Sequence, residues 1–94
     1  MRVIVRAIGD LREYLGREPQ EIELAANSSA QDLLLAIELR HGAGLPGYLW
    51  DFQKHQFRGP VVLVVDKKAI QDFETELVEG IEITVMKAVA GGMN

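Results

Sequence analysis

The order of hydrophobic periods along this chain leaves few folds open to it. One segment repeats at the helical period, with Ala30, Leu33, Leu34, Ile37 and His41 on one face, while the remaining regular segments read as strands, mostly at a strand's two-residue period. Before the helix, residues 2–8 set Val3, Val5 and Ala7 against Arg2, Ile4, Arg6 and Ile8, and residues 21–25 set Ile22 and Leu24 against Glu21 and Glu23. After it come a β-branched run, Val61 to Val65, a brief edge pair, Ala69-Ile70, and a final strand, Ile81 to Met86, whose Ile81, Ile83 and Val85 alternate with Glu82, Thr84 and Met86. A lone helix must bury its stripe against another layer, here a sheet. A right-handed crossover through the helix sets the later strands beside the first.

The punctuation agrees with that order. Asp10 followed by Glu13 has the form of a capping box for a short helical turn carrying Leu11, Tyr14 and Leu15 and closed by Gly16. Ser28 with Gln31 has the same form at the start of the main helix, which Gly42 stops. From Gly42 to Pro60 no clean period survives. A structureless stretch of that length is unusual in a small domain, so a short helix around residues 46–55 or a packed loop is expected there. The expected fold is α+β: a β-grasp (ubiquitin-like) mixed sheet of four to five strands with one main helix packed across it. Residues 1–88 form the domain and 89–94 a flexible tail.

Composition narrows function mainly by exclusion. The chain has 94 residues, no cysteine and a formal charge of −4. Thiolate chemistry and cysteine metal sites are excluded, and ten scattered Lys and Arg do not make a nucleic-acid interface, although Arg2, Arg6 and Arg12 can form a local basic patch. No stretch approaches a membrane span, and the chain opens directly on a charged strand, so a cytoplasmic protein is expected. His41 and His55 lack partners at metal-ligand spacing; no metal site is expected, and His41 suits the helix C-terminal dipole. No catalytic constellation is defensible. Tyr48, Trp50, Phe52 and Phe57 either pack over one end of the core or, with an exposed sheet face carrying Ile4 and Met86, dock a partner.

The final strand runs through Lys87-Ala88-Val89-Ala90 into Gly91-Gly92, with Met93-Asn94 beyond. Two residues without Cβ can thread a narrow tunnel and present a carboxyl carbon inside another protein's active site.

In order along the chain, Asp10-Leu11-Arg12-Glu13-Tyr14-Leu15-Gly16, Ser28 to Leu34, Val62 to Asp66, Glu76 to Ile83 and Val89-Ala90-Gly91-Gly92 resemble the MoaD/ThiS-like sulfur-carrier family, the small proteins related to the molybdopterin-synthase small subunit and the thiamin-pathway carrier. Asp66-Lys67-Lys68 stands where the family has an Asn-Gly hairpin, and Lys87-Ala88 where the molybdopterin branch has Pro-Pro. The resemblance implies a protein substrate and not an enzyme. It binds no cofactor itself, and an E1-like adenylating enzyme uses ATP to activate the Gly92 carboxylate before sulfur displaces AMP. Here Gly92 is in amide linkage to Met93, so the resemblance further implies a JAMM-type or other peptidase that removes Met93-Asn94. A sulfur-acceptor enzyme of molybdopterin or tungstopterin, thiamin, cysteine or related biosynthesis would then receive the sulfur. The alternatives are a non-covalent β-grasp interaction module and a ubiquitin-like protein modifier.

Overall fold

The computed structural model describes residues 1–88. Strand β1 (Arg2–Ala7) leads through a 3-10 turn (Gly9–Leu11) into a single helical turn, α1 (Arg12–Leu15), and returns as β2 (Gln20–Glu23). Helix α2 (Ala30–His41) follows, with a 3-10 extension at Gly42–Gly44, then a hairpin of β3 (Trp50–Asp51) and β4 (Gln56–Phe57), and β5 (Val61–Val65), β6 (Lys68–Ala69) and β7 (Glu82–Lys87).

Five strands form one sheet in the order β2-β1-β7-β5-β6. β1 and β7 are parallel at its centre, Val5 opposite Ile83 and Ala7 opposite Val85, and the other pairs are antiparallel. The fold is the expected β-grasp: α2 carries the chain from the β2 side of the sheet to the β5 side, and β7 fills the gap between. The core lies between one sheet face and the helix, with Val3, Ile83, Val85 and Leu63 against Ala30, Leu33, Leu34 and Ile37, all at most 2% exposed. Alternation placed Val3, Ile83 and Val85 on one face of their strands, because side chains change face at each step; in the continuous apolar run of β5 the structure selects Val61 and Leu63.

Several local expectations are corrected. Asp10 caps nothing: neither the 3-10 turn nor α1 has a side-chain cap, and the Asp10 carboxylate pairs with Lys87 Nζ at 3.0 Å. The capping box of α2 lies one residue later than expected. Ser29 Oγ accepts from the Asp32 amide and the Asp32 carboxylate accepts from the Ser29 amide, while Ser28 is buried and donates to the Ala25 carbonyl. The next amides of that helix, on Ala30 and Gln31, donate to the carbonyls of Thr75 and Phe73. The polar connection before β7 therefore straps the start of the helix, with Leu77 buried behind it. Of the two alternatives for residues 46–55, the packed loop stands and no helix forms; it carries a hairpin of the two-residue strands β3 and β4. α2 does end at His41 with Gly42 as its C-cap, and a 3-10 turn continues from there. β2 stops at Glu23, leaving Leu24 only partly buried, β6 sits one residue earlier than expected, and β7 one later.

Candidate functional site

Because β1 and β7 are parallel, both end at the same pole, where β5 begins and α2 finishes. β7 ends there, at Lys87, and Ala88 follows it in the direction of Gly91 and Gly92 in the sequence. The root of that segment is held from two sides. The Ala88 amide donates to the Pro60 carbonyl at 2.7 Å, and Lys87 makes its ion pair with Asp10. The expected activation and processing residues, Gly91, Gly92 and Met93, lie outside the described residues.

The face of the sheet away from α2 is built in rows across the strands. Ile4 stands opposite Glu82, Arg6 opposite Thr84 and Val64, and Met86 opposite Val62. One step past the Ala7–Val85 pair, where the Ile8 amide donates to the Val85 carbonyl, Ile8 joins the Met86–Val62 row. Ile4 and Met86, expected together on one docking face, do share the face but not a patch: the row of Arg6 and Thr84 separates them, and Arg6 binds Glu82 at 2.8 Å. Ile8, 47% exposed, and Val62 are the neighbours that Met86 has instead. Their partnership depends on strand order and register, which local alternation does not carry.

Ile8 also lines an open cleft with Arg6, Gly9, Arg12 and Arg17. Of the basic patch expected from Arg2, Arg6 and Arg12, the last two meet here. Arg2 is instead drawn to Glu21 and Glu23 on β2, and Arg17 takes its place.

The 42–60 loop leaves from the same pole, runs along α2 as far as Gln31, whose Nε2 donates to the His55 carbonyl at 3.0 Å, and returns to Pro60. Its aromatics divide by exposure. Trp50 is fully buried and meets Phe57 edge-on at 4.7 Å, while Tyr48 and Phe52 are exposed. Glu38 on α2 anchors the hairpin by accepting from Trp50 Nε1 at 2.6 Å and from His55 Nδ1 at 3.1 Å. These hydrogen bonds, first that from Trp50, hold the Glu38 carboxyl below its usual range against the effect of burial. His55 takes a left-handed φ of 56° and has a carboxylate partner 17 residues away, which no spacing rule could reveal. Asp51 is likewise held low, by the amides of Lys54 and Gln53 and by Arg58. Tyr14 and Tyr48 share a 2.7 Å hydroxyl contact that ties α1 to the loop and pushes the Tyr14 phenol up. His41 departs from the dipole reading. Burial, aided by Arg40, drives its pKa down, so the ring is held neutral and donates to Gln20 Oε1.

Among the described residues no three His, Asp or Glu side chains gather as a metal-binding group, and no helix is long and apolar enough to cross a membrane.

A profile described as the ThiS family matches residues 5–92. No curated protein matches the sequence. Among solved structures, the chain is similar to SAMP1, the small archaeal modifier protein 1, of Haloferax volcanii, at 17% identity and a TM-score of 0.77 over 98% of this chain and 100% of that one. It is similar to molybdopterin converting factor, subunit 1, of Pyrococcus furiosus, at 24% identity and a TM-score of 0.71 over 94% and 98%. It is also similar to a chain of the Amycolatopsis orientalis BexX/CysO complex, at 25% identity and a TM-score of 0.65 over 96% and 99%.

Proposed function

This chain belongs to the ThiS family, and from that membership we propose that it is a sulfur carrier whose reactive group is the carboxyl of Gly92. The observation that carries the reading is where the family match ends: it runs to residue 92, the second glycine, and leaves Met93-Asn94 beyond it. In this reading a JAMM-type or other peptidase first hydrolyses the Gly92–Met93 amide. A carboxylate oxygen of Gly92 then attacks the α-phosphorus of ATP on an E1-like enzyme, and pyrophosphate leaves. Sulfide attacks the acyl-adenylate carbon, the bond to the AMP oxygen breaks, and a thiocarboxylate remains. Its sulfur is a strong nucleophile ready for an acceptor enzyme of cofactor or cysteine biosynthesis.

The protein itself supplies presentation and recognition. It holds no cofactor, ATP being the activating enzyme's substrate, and it works in the cytoplasm. Residues 89–94 are the tail; the row of Ile8, Met86 and Val62, flanked by Arg6, Arg12 and Arg17, has the apolar centre and polar rim of a docking surface and lies at the pole where the tail begins. The likeness to the BexX/CysO chain supports an enzyme partner for such a carrier.

Intact mass of the protein from its native host tests the reading. Loss of Met93-Asn94 together with the gain of sulfur for oxygen is expected; full-length mass alone while the pathway is active overturns it and leaves the non-covalent module. Trimmed protein joined through Gly92 to lysines of other proteins favours the modifier.

A further inference from the structure

The root of the tail is built as a clamp with two jaws from opposite sides of the fold. One jaw is Asp10. Gly9, with φ +69°, turns the chain out of β1 into the 3-10 turn, Leu11 is 1% exposed in the core, and Arg12 Nε donates back to the Gly9 carbonyl at 3.2 Å. Asp10 therefore sits on a backbone fixed on both sides, and its carboxylate reaches Lys87 Nζ at 3.0 Å. The other jaw is the Pro60 carbonyl, which accepts from the Ala88 amide at 2.7 Å. Its position is inherited from the 42–60 loop: the Arg58 amide donates to the Leu49 carbonyl at 2.8 Å, and Arg58 Nε donates to Gly47 at 2.7 Å. Leu49 and Trp50 anchor that loop in the core.

We propose that Asp10 and Lys87 are positioning residues that, with the Pro60–Ala88 hydrogen bond, fix where the tail leaves the domain and so set the reach of Gly92 into the activating enzyme. The inference rests on the carrier reading. From Ala88 to Gly92 are four residues, which span at most about 14 Å. Peeling Lys87 and Ala88 from their partners would add two residues, at most about 7 Å, to the length of chain between the domain and Gly92. Misplacement of an attacking carboxylate by far less than that costs rate. A side chain on the apolar row changes docking; one at the clamp changes only where the docked carrier's carboxyl arrives.

The test uses the chain ending at Gly92, its cognate E1-like enzyme and ATP, with pyrophosphate exchange as the readout. Asp10→Asn and Lys87→Met are each expected to lower kcat about two- to fivefold, the fold-change an exposed ion pair carries, with KM essentially unchanged. The double variant should be no worse than either single one, and Lys87→Arg or the swap Asp10→Lys with Lys87→Asp should restore the rate. Exchange protection of the Ala88 amide, measured on the same proteins without enzyme, should be present in the parent and reduced in both single variants. Unchanged kcat, additive losses, a rise in KM in place of the kcat effect, or an unprotected Ala88 in the parent each overturn the clamp. A parent chain that docks but is never adenylated overturns the carrier reading as well, and is distinguished by failing before any variant is compared.

Discussion

Glu38 accepts hydrogen bonds from both Trp50 and His55 and is the point at which the 42–60 loop is tied to the helix. Its pKa in the folded protein lies below the ordinary value of about 4.3. A depressed carboxylate contributes stability that is fully present above its unfolded pKa and is lost as pH falls through the folded one. Glu38→Gln, which keeps an acceptor for Trp50 and loses the charge, should therefore melt at lower temperature than the parent at pH 7. The gap should close as acid protonates the parent's carboxyl. Thermal melts followed by Trp50 fluorescence at a series of pH values check this; a constant gap would mean that charge is not what holds the hairpin. His41 works at a higher pH in the same direction. Its ring is kept neutral by burial, so stability is full above about pH 6.5 and falls below it as the unfolded state takes up protons first. His41→Gln should flatten the stability curve between about pH 7 and 5, and urea titrations across that window read it directly.

At the scale of the element, the cap of α2 and the turn after β5 make opposite demands on sequence. Ser29→Ala removes the oxygen that the Asp32 amide uses and should cost about 1 kcal/mol in urea unfolding, whereas Gln31, the acid-position residue of the expected box at Ser28, should be indifferent as a cap. The residues Ser28-Ser29-Ala30-Gln31-Asp32 hold two overlapping Ser-x-x-polar frames. The choice falls on the later one because Ser28 is drawn inward to the Ala25 carbonyl and its own carbonyl is taken by Leu77. The β5-β6 turn has Asp66 and Lys67 both at left-handed φ, +51° and +69°. A two-residue hairpin loop requires this geometry and glycine meets it without a Cβ penalty. Lys67→Gly should therefore stabilise the protein by about 1 kcal/mol, the left-handed penalty of an ordinary residue less the extra unfolded freedom of glycine; a loss of stability would show that the Lys67 side chain contributes more than the turn costs.

Across the whole molecule, the packed 42–60 loop joins α2, α1 and the start of β5. Trp50 is its keystone, with no exposed surface, and Trp50→Ala should cost about 3–5 kcal/mol, measured by urea unfolding with far-UV circular dichroism. Deleting residues 91–94 should leave that stability unchanged and abolish activation, which separates fold from chemistry in a single comparison. The hydrophobic periods by themselves determined the order of the main elements, the inward residues of β1 and β7, the buried stripe of α2 and hence the β-grasp, because period and burial are local consequences of backbone geometry; the unalternating run of β5 and the hairpin at 50–57 took their facing from the tertiary structure. The family motifs likewise marked Gly92 as the candidate reactive position. Only the tertiary structure decided which of Ile4, Ile8 and Val62 stands beside Met86, that Asp10 meets Lys87 from 77 residues away, and that Glu38 joins Trp50 to His55. Those contacts are set by strand order, register and a loop without period. Their partners are distant in sequence, so the chemistry of either residue alone does not specify the other.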